Sequence, residues 1–90
     1  MKDTCIRQLL KDTELQLFYN DSNSKVVDEL SLPMAKARID LAVINGALHG
    51  YEIKSASDTL QRLPSQIEAY TKVFDYLSIV TESKYREKIL

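Results

Sequence analysis

Ala37-Arg38-Ile39-Asp40-Leu41-Ala42-Val43-Ile44 and Gly50-Tyr51-Glu52-Ile53-Lys54-Ser55, joined by Asn45-Gly46-Ala47-Leu48-His49, form the stretch on which the fold turns. Both arms read as buried strands, and the link carries the Asn-Gly signal of a hairpin turn. Yet Asp40, Glu52 and Lys54 sit inside those arms, where unpaired charges carry a heavy desolvation cost. Two carboxylates and an ammonium drawn together suggest a divalent-metal site instead.

Register decides whether they can meet. Side chains alternate across a strand with period two, so Glu52 and Lys54 share a face. A two-residue Asn45-Gly46 turn would set Asp40 opposite Tyr51 and leave Glu52 on the wrong side. A three-residue loop of Asn45, Gly46 and Ala47 pairs Ile44 with Leu48 and sets Asp40 opposite Glu52. That register is the one expected. A second Glu-x-Lys, Glu82-Ser83-Lys84, lies in a polar stretch and lacks a partner carboxylate.

Working outward, Ile6, Leu9, Leu10 and Leu17 give an apolar stripe of helical period, predicting a helix over about Asp3 to Leu15 that the Asn20-Asp21-Ser22-Asn23-Ser24 cluster ends. Strands are expected at about 25–32, 37–45, 49–55 and 76–81, with Pro33 confined to the first connection. Between the last two, Ser57-Asp58 can cap a helix, and Pro64 breaks it early or marks a fresh start. Ile67, Tyr70, Val73, Phe74 and Leu77 would face the sheet. Residues 82–90 would begin another helix. The order is α-β-β-β-α-β, an α/β sandwich whose crossover returns the last strand beside the Glu-x-Lys strand.

With Asp40 on one strand, Glu52-Ile53-Lys54 on the next and Gln66-Ile67-Glu68-Ala69-Tyr70 on the following helix, the chain resembles the PD-(D/E)XK nuclease superfamily. More narrowly, Val27-Asp28-Glu29-Leu30, Arg38-Ile39-Asp40-Leu41 and Asp58-Thr59-Leu60-Gln61-Arg62-Leu63-Pro64 look like a small bacterial family of predicted nucleases with a RecB-like Gln-x-x-x-Tyr motif. The likeness spans roughly residues 26 to 81. It implies a restriction-endonuclease-like αβββαβ core, with a mixed four-stranded sheet flanked by helices. It also implies metal-dependent hydrolysis of phosphodiester bonds in DNA, an enzyme of the deoxyribonuclease kind. Asp40 and Glu52 would bind Mg²⁺ or Mn²⁺, with the Ile53 carbonyl as a further ligand and Glu29 as a third carboxylate. Lys54 would assist the attacking water, and Gln66 and Tyr70 would steer Lys54 or the phosphate. In strand 25–32, period two separates Asp28 from Glu29, and the likeness to the narrower family favours Glu29 as the inward acid.

Ninety residues make one small domain, 1–90, and 44% hydrophobic with 28% charged residues is ordinary for a globular protein. A net charge of −1 argues against a strongly basic DNA-coating protein, although bound cations would make the acidic site attractive to phosphate. The lone Cys5 cannot form an intrachain disulfide, and no apolar run is long enough for a membrane span, so a cytoplasmic location is the default expectation. The chain stops where another element is expected, which a homodimer or C-terminal truncation would explain.

Blander readings stand beside these. Asp40 could pair with Arg38 or Lys54, Gln66 could be a surface residue, and Tyr70 at helical spacing is more often core than ligand. Arg62 and Lys72 could touch a DNA backbone or simply be solvated. His49 has no second histidine or cysteine nearby and receives no role. The alternative to an enzyme is a nuclease-fold binding or interaction module, weak or inactive in catalysis, within a larger assembly.

Overall fold

The computed structural model describes residues 3–33, 37–55 and 58–81. Helices α1 (Asp3–Asp12) and α2 (Gln16–Tyr19) precede strands β1 (Lys25–Leu32), β2 (Ala37–Ile44) and β3 (Leu48–Lys54), then helix α3 (Leu63–Thr71) and strand β4 (Tyr76–Thr81). The sheet order is β1-β2-β3-β4. The first two pairings are antiparallel and the last is parallel. The fold is therefore α/β with a mixed four-stranded sheet, and α3 supplies the crossover that parallel neighbours require.

The hairpin closes as its sequence asks. Ile44 pairs with Leu48 and Leu41 with Tyr51, while the Asn45 N–H donates to the Ala47 carbonyl at 3.1 Å. Gly46 takes φ +93°, a backbone angle that an L side chain resists. The three-residue loop thus sets the predicted register, and continuing it brings Asp40 to Glu52.

Two apolar clusters sandwich the sheet. On one side Ile6, Leu10 and Leu15 pack with Leu41, Val43, Tyr51 and Ile53. On the other, Tyr70 and Phe74 pack with Ile39 and Ala42. Strict alternation would keep Ile39 with Leu41, so β2 changes face across Asp40. Strand β1 does the same, since Val26 joins the α1 side and Leu30 the α3 side. At the change in β1, Glu29 adopts φ +55°. A left-handed residue within a strand is strained, and it re-aims the side chains around it.

Three expectations about local structure are corrected. The first helix ends at Asp12, not Leu15: Thr13 Oγ1 donates to the Leu9 carbonyl at 2.7 Å, competing with the helical ladder. That break buries Leu15 completely and leaves Leu9 and Leu17 exposed, so the stripe reduces to Ile6 and Leu10. The helix after β3 does not start at an Asp58 cap. It starts afresh at Leu63 with Pro64 in its first turn, and Asp58 instead accepts the Ser55 N–H at 2.7 Å. Finally, α3 ends at Thr71, so Val73 falls beyond it and faces solvent. Ser57, the second Glu-x-Lys and the helix expected over 82–90 lie outside the described residues.

Candidate functional site

Where β2 and β3 part beyond the Leu41–Tyr51 pair, the Asp40 side chain takes over the ladder. Its Oδ2 accepts the Ile53 backbone N–H at 2.7 Å. Glu52 is 4% exposed and Lys54 8%, and the Lys54 Nζ stands 3.6 Å from Glu52 Oε2. The Gln66 amide lies one turn into α3, within a long 3.5 Å of the same Glu52 oxygen. Asp40, Glu52, Lys54, Asp58, Arg62 and Gln66 line an open cleft of about 580 Å³, with Arg38 on its rim.

The electrostatics of this group are unbalanced. Burial, then the neighbouring Asp40 charge, pushes the Glu52 carboxyl up to about 7, with Lys54 pulling the other way. Among the described residues, Glu52 Oε1 and Gln66 Oε1 are buried acceptors that no donor meets. Two such unmet acceptors on residues that line one cleft leave room there for a cation or a hydrogen-bond donor.

Other expected members stand elsewhere. Glu29 does not join Asp40 and Glu52: its Oε1 takes Arg7 Nη1 at 2.8 Å and its Oε2 takes Arg38 Nε at 3.0 Å. The expected three-carboxylate set is thus reduced to a pair. Among the described residues, no three His, Cys, Asp or Glu side chains are grouped to hold a metal ion. Tyr70 is buried beside Glu52 and does not itself line the cleft. Its hydroxyl donates to the Arg38 carbonyl at 2.9 Å, and burial, then the Glu52 charge, drives the phenol pKa upward. Arg62 does line the cleft, whereas Lys72 sits past the end of α3.

Arg7 was invisible in the sequence. From α1 it reaches Asp40 Oδ1 at 3.4 Å as well as Glu29. The available signal was the spacing of Arg7 and Lys11, which places both on one helix face. Lys11 meets Asp28 at 2.7 Å. Away from the cleft, His49 stacks on Tyr51 with centroids 4.2 Å apart, and its Nε2 lies 2.9 Å from Ser78 Oγ.

The family model described as bacteriophage P4 protein cII matches residues 1–90, the whole chain. The chain belongs to the bacteriophage P4 protein cII family. Protein cII of Enterobacteria phage P4 is 32% identical over 68 residues, which cover 76% of this chain and 26% of that protein. This cII-family chain therefore matches about a quarter of the curated relative's length. No solved structure matches the chain.

Membership of the cII family overturns the expected place in the PD-(D/E)XK superfamily. With it go the inferred metal-dependent nuclease and its hydrolase chemistry. The alternative of a weakened nuclease-fold module has no support in that family either. Short motifs carried the resemblance, and a match along the full chain outweighs them. No helix among the described residues is long and apolar enough to cross a membrane.

Proposed function

We propose that the cleft binds a divalent cation, Mg²⁺ or Mn²⁺, between Asp40 and Glu52, and through it a phosphate group of DNA. The supporting observation is Glu52 Oε1, a carboxylate oxygen on a 4%-exposed residue that no donor meets among the described residues. Leaving a buried acceptor unpaired costs about 1–3 kcal/mol, and more when it is charged. A hard cation would satisfy that oxygen and relieve the repulsion between the two carboxylates.

The donor set fits such an ion in part. Asp40 and Glu52 offer hard oxygens, Gln66 Oε1 is an unmet acceptor nearby, and Ile53 lines the same cleft. Glu29 contributes only if its two arginines release it. A set this sparse suits Mg²⁺, which keeps several of its waters and shares its shell with phosphate oxygens. Bound there, the ion would supply positive charge to a phosphate. Lys54 and Arg62, on the cleft wall, would add charge of the same sign. The α/β order with its mixed four-stranded sheet is compatible with a restriction-endonuclease-like core. The proposed role is binding, without bond cleavage.

Calorimetric titration with Mn²⁺ tests the first half, and fluorescence anisotropy of labelled duplex DNA with and without Mn²⁺ tests the second. Wild type should bind the ion, while Asp40→Asn and Glu52→Gln bind it at least tenfold more weakly, about 1.4 kcal/mol. Equal affinity in wild type and both variants would remove the physical basis of the reading.

A further inference from the structure

We propose that β4 is an interface between two copies of this chain, which join edge to edge by antiparallel pairing of β4 with itself about Ser78. Two four-stranded sheets become one continuous sheet of eight strands. Such pairing does not depend on cation binding in the cleft, and cation binding does not depend on it.

The two outer strands of the sheet differ in chemistry. β1 contains Lys25, Asp28 and Glu29, and its backbone leaves extended geometry at Glu29 with φ +55°. Charges and a local break of this kind keep an edge from accepting another strand. β4 has neither. Its sequence, Tyr76-Leu77-Ser78-Ile79-Val80-Thr81, holds no charge, proline or glycine and is rich in β-branched and aromatic residues. Among the described residues, no strand lies outside it. Leu77, Ser78, Ile79 and Val80 are only half-buried, and Tyr76 is 64% exposed. The outer edge of an uncharged, extended strand is a template for a further strand.

The symmetry of the residues about Ser78 makes a second β4 the fitting occupant. Leu77 packs on the α3 side of the sheet and Val80 on the α1 side. Alternation then gives Leu77 and Ile79 one face, and Tyr76, Ser78 and Val80 the other. In an antiparallel pair, directly opposed residues lie on the same face. A two-fold axis through Ser78 therefore opposes Leu77 with Ile79 of the second copy, Tyr76 with Val80 of the second copy, and Ser78 with its own counterpart. Apolar meets apolar and hydroxyl meets hydroxyl, with no like charges opposed. An axis through Ile79 would instead set Leu77 against Thr81 and Ser78 against Val80, mismatching both. The contact is isologous, so it closes at two copies and leaves the charged β1 edges outermost. Lys54 stands beside Thr81 in the sheet, so each cleft lies toward the Thr81 end of its own β4. Antiparallel joining sends the two clefts to opposite ends of the shared sheet.

Sedimentation equilibrium of the full chain across a wide concentration range should show a monomer–dimer equilibrium. Tyr76→Lys sets a charge against Val80 of the second copy, twice per dimer, and should raise the dissociation constant at least about tenfold. Register is read by cysteine cross-linking in a Cys5→Ser background, which removes the exposed native thiol. Ser78→Cys should link two copies under mild oxidation, because each thiol faces its own counterpart. Tyr76→Cys alone should not link, since its counterpart lies roughly 13 Å away along the strands, but a mixture of Tyr76→Cys and Val80→Cys chains should. A chain that stays monomeric at every concentration overturns the inference. So does a dimer that is indifferent to Tyr76→Lys and fails to link through Ser78→Cys. Should Tyr76→Lys fold poorly by circular dichroism, the cross-linking pattern decides alone. A monomer whose β4 amides resist hydrogen exchange would assign the edge to another segment of the same chain, and that too overturns it.

Discussion

Asp40 Oδ2 accepts the Ile53 backbone N–H at 2.7 Å, so a β2 side chain continues the β3 ladder where the two strands separate. The carboxylate closes a gap in the sheet and at the same time stands beside Glu52. One residue therefore carries both a structural bond and half of the candidate cation site.

Replacing Asp40 should expose that double duty. Asp40→Ala leaves the Ile53 N–H without its charged acceptor and should cost about 2 kcal/mol, whereas Asp40→Asn keeps an acceptor and should cost roughly half as much. Urea denaturation of the two variants measures the difference. Equal losses would mean that the bond contributes little.

Stability should depend on pH through Glu52. Its carboxyl stands at about 7 in the folded protein, against an ordinary 4.5. The folded state therefore holds the proton more tightly than the unfolded one. This contribution is fully present below about pH 4.5 and disappears as the pH rises through about 7. Denaturation midpoints of cation-free protein should fall across that window, and Glu52→Gln should flatten the fall. Mn²⁺ should restore stability at the alkaline end.

Gly50 faces Ile39 and Phe74. A Cβ at this position would collide with Ile39 Cδ1 and lie 3.1 Å from two Phe74 ring carbons. Gly50→Ala should destabilise by about 1–3 kcal/mol through overpacking. A thermal melt within a degree of wild type would show that Ile39 can turn away at no cost.

At Glu29 the backbone angle and the side chain can be separated. Both Glu29→Ala and Glu29→Gly lose the ion pairs with Arg7 and Arg38, but only glycine accepts φ +55° without strain. The glycine variant should be more stable than the alanine variant by about 1 kcal/mol. The reverse order would mean that β1 relaxes to ordinary strand geometry when the carboxylate is removed.

Tyr70 is held by the Arg38 carbonyl and neighbours Glu52, so its hydroxyl should matter mainly for stability. Tyr70→Phe orphans the Arg38 carbonyl and should cost about 1 kcal/mol while leaving Mn²⁺ affinity unchanged. A large drop in affinity would place the hydroxyl in the site after all.

Much of this protein is legible in its residues because the deciding patterns are local. The Asn45-Gly46-Ala47 loop sets the hairpin register, and that register brings Asp40 to Glu52. The Pro64 helix start and the parallel return of β4 follow from rules acting over a few residues or one crossover. Family membership was not legible in the same way. Asp40, Glu52-Ile53-Lys54 and Gln66-x-x-x-Tyr70 are few residues, and a buried charged cluster can serve more than one chemistry.

Tertiary structure alone decided which charges meet. Period-two alternation only separates Asp28 from Glu29 without choosing between them, and β1 and β2 change face across Glu29 and Asp40 while Arg7 arrives from α1 to claim both acids. Period-two alternation holds only while each residue stays in extended backbone. A single left-handed residue cancels it, and no local pattern announces where one will fall. Helix-to-sheet packing is likewise set by the whole core, so the arginine that balances the site could be found only once α1 lay on the sheet.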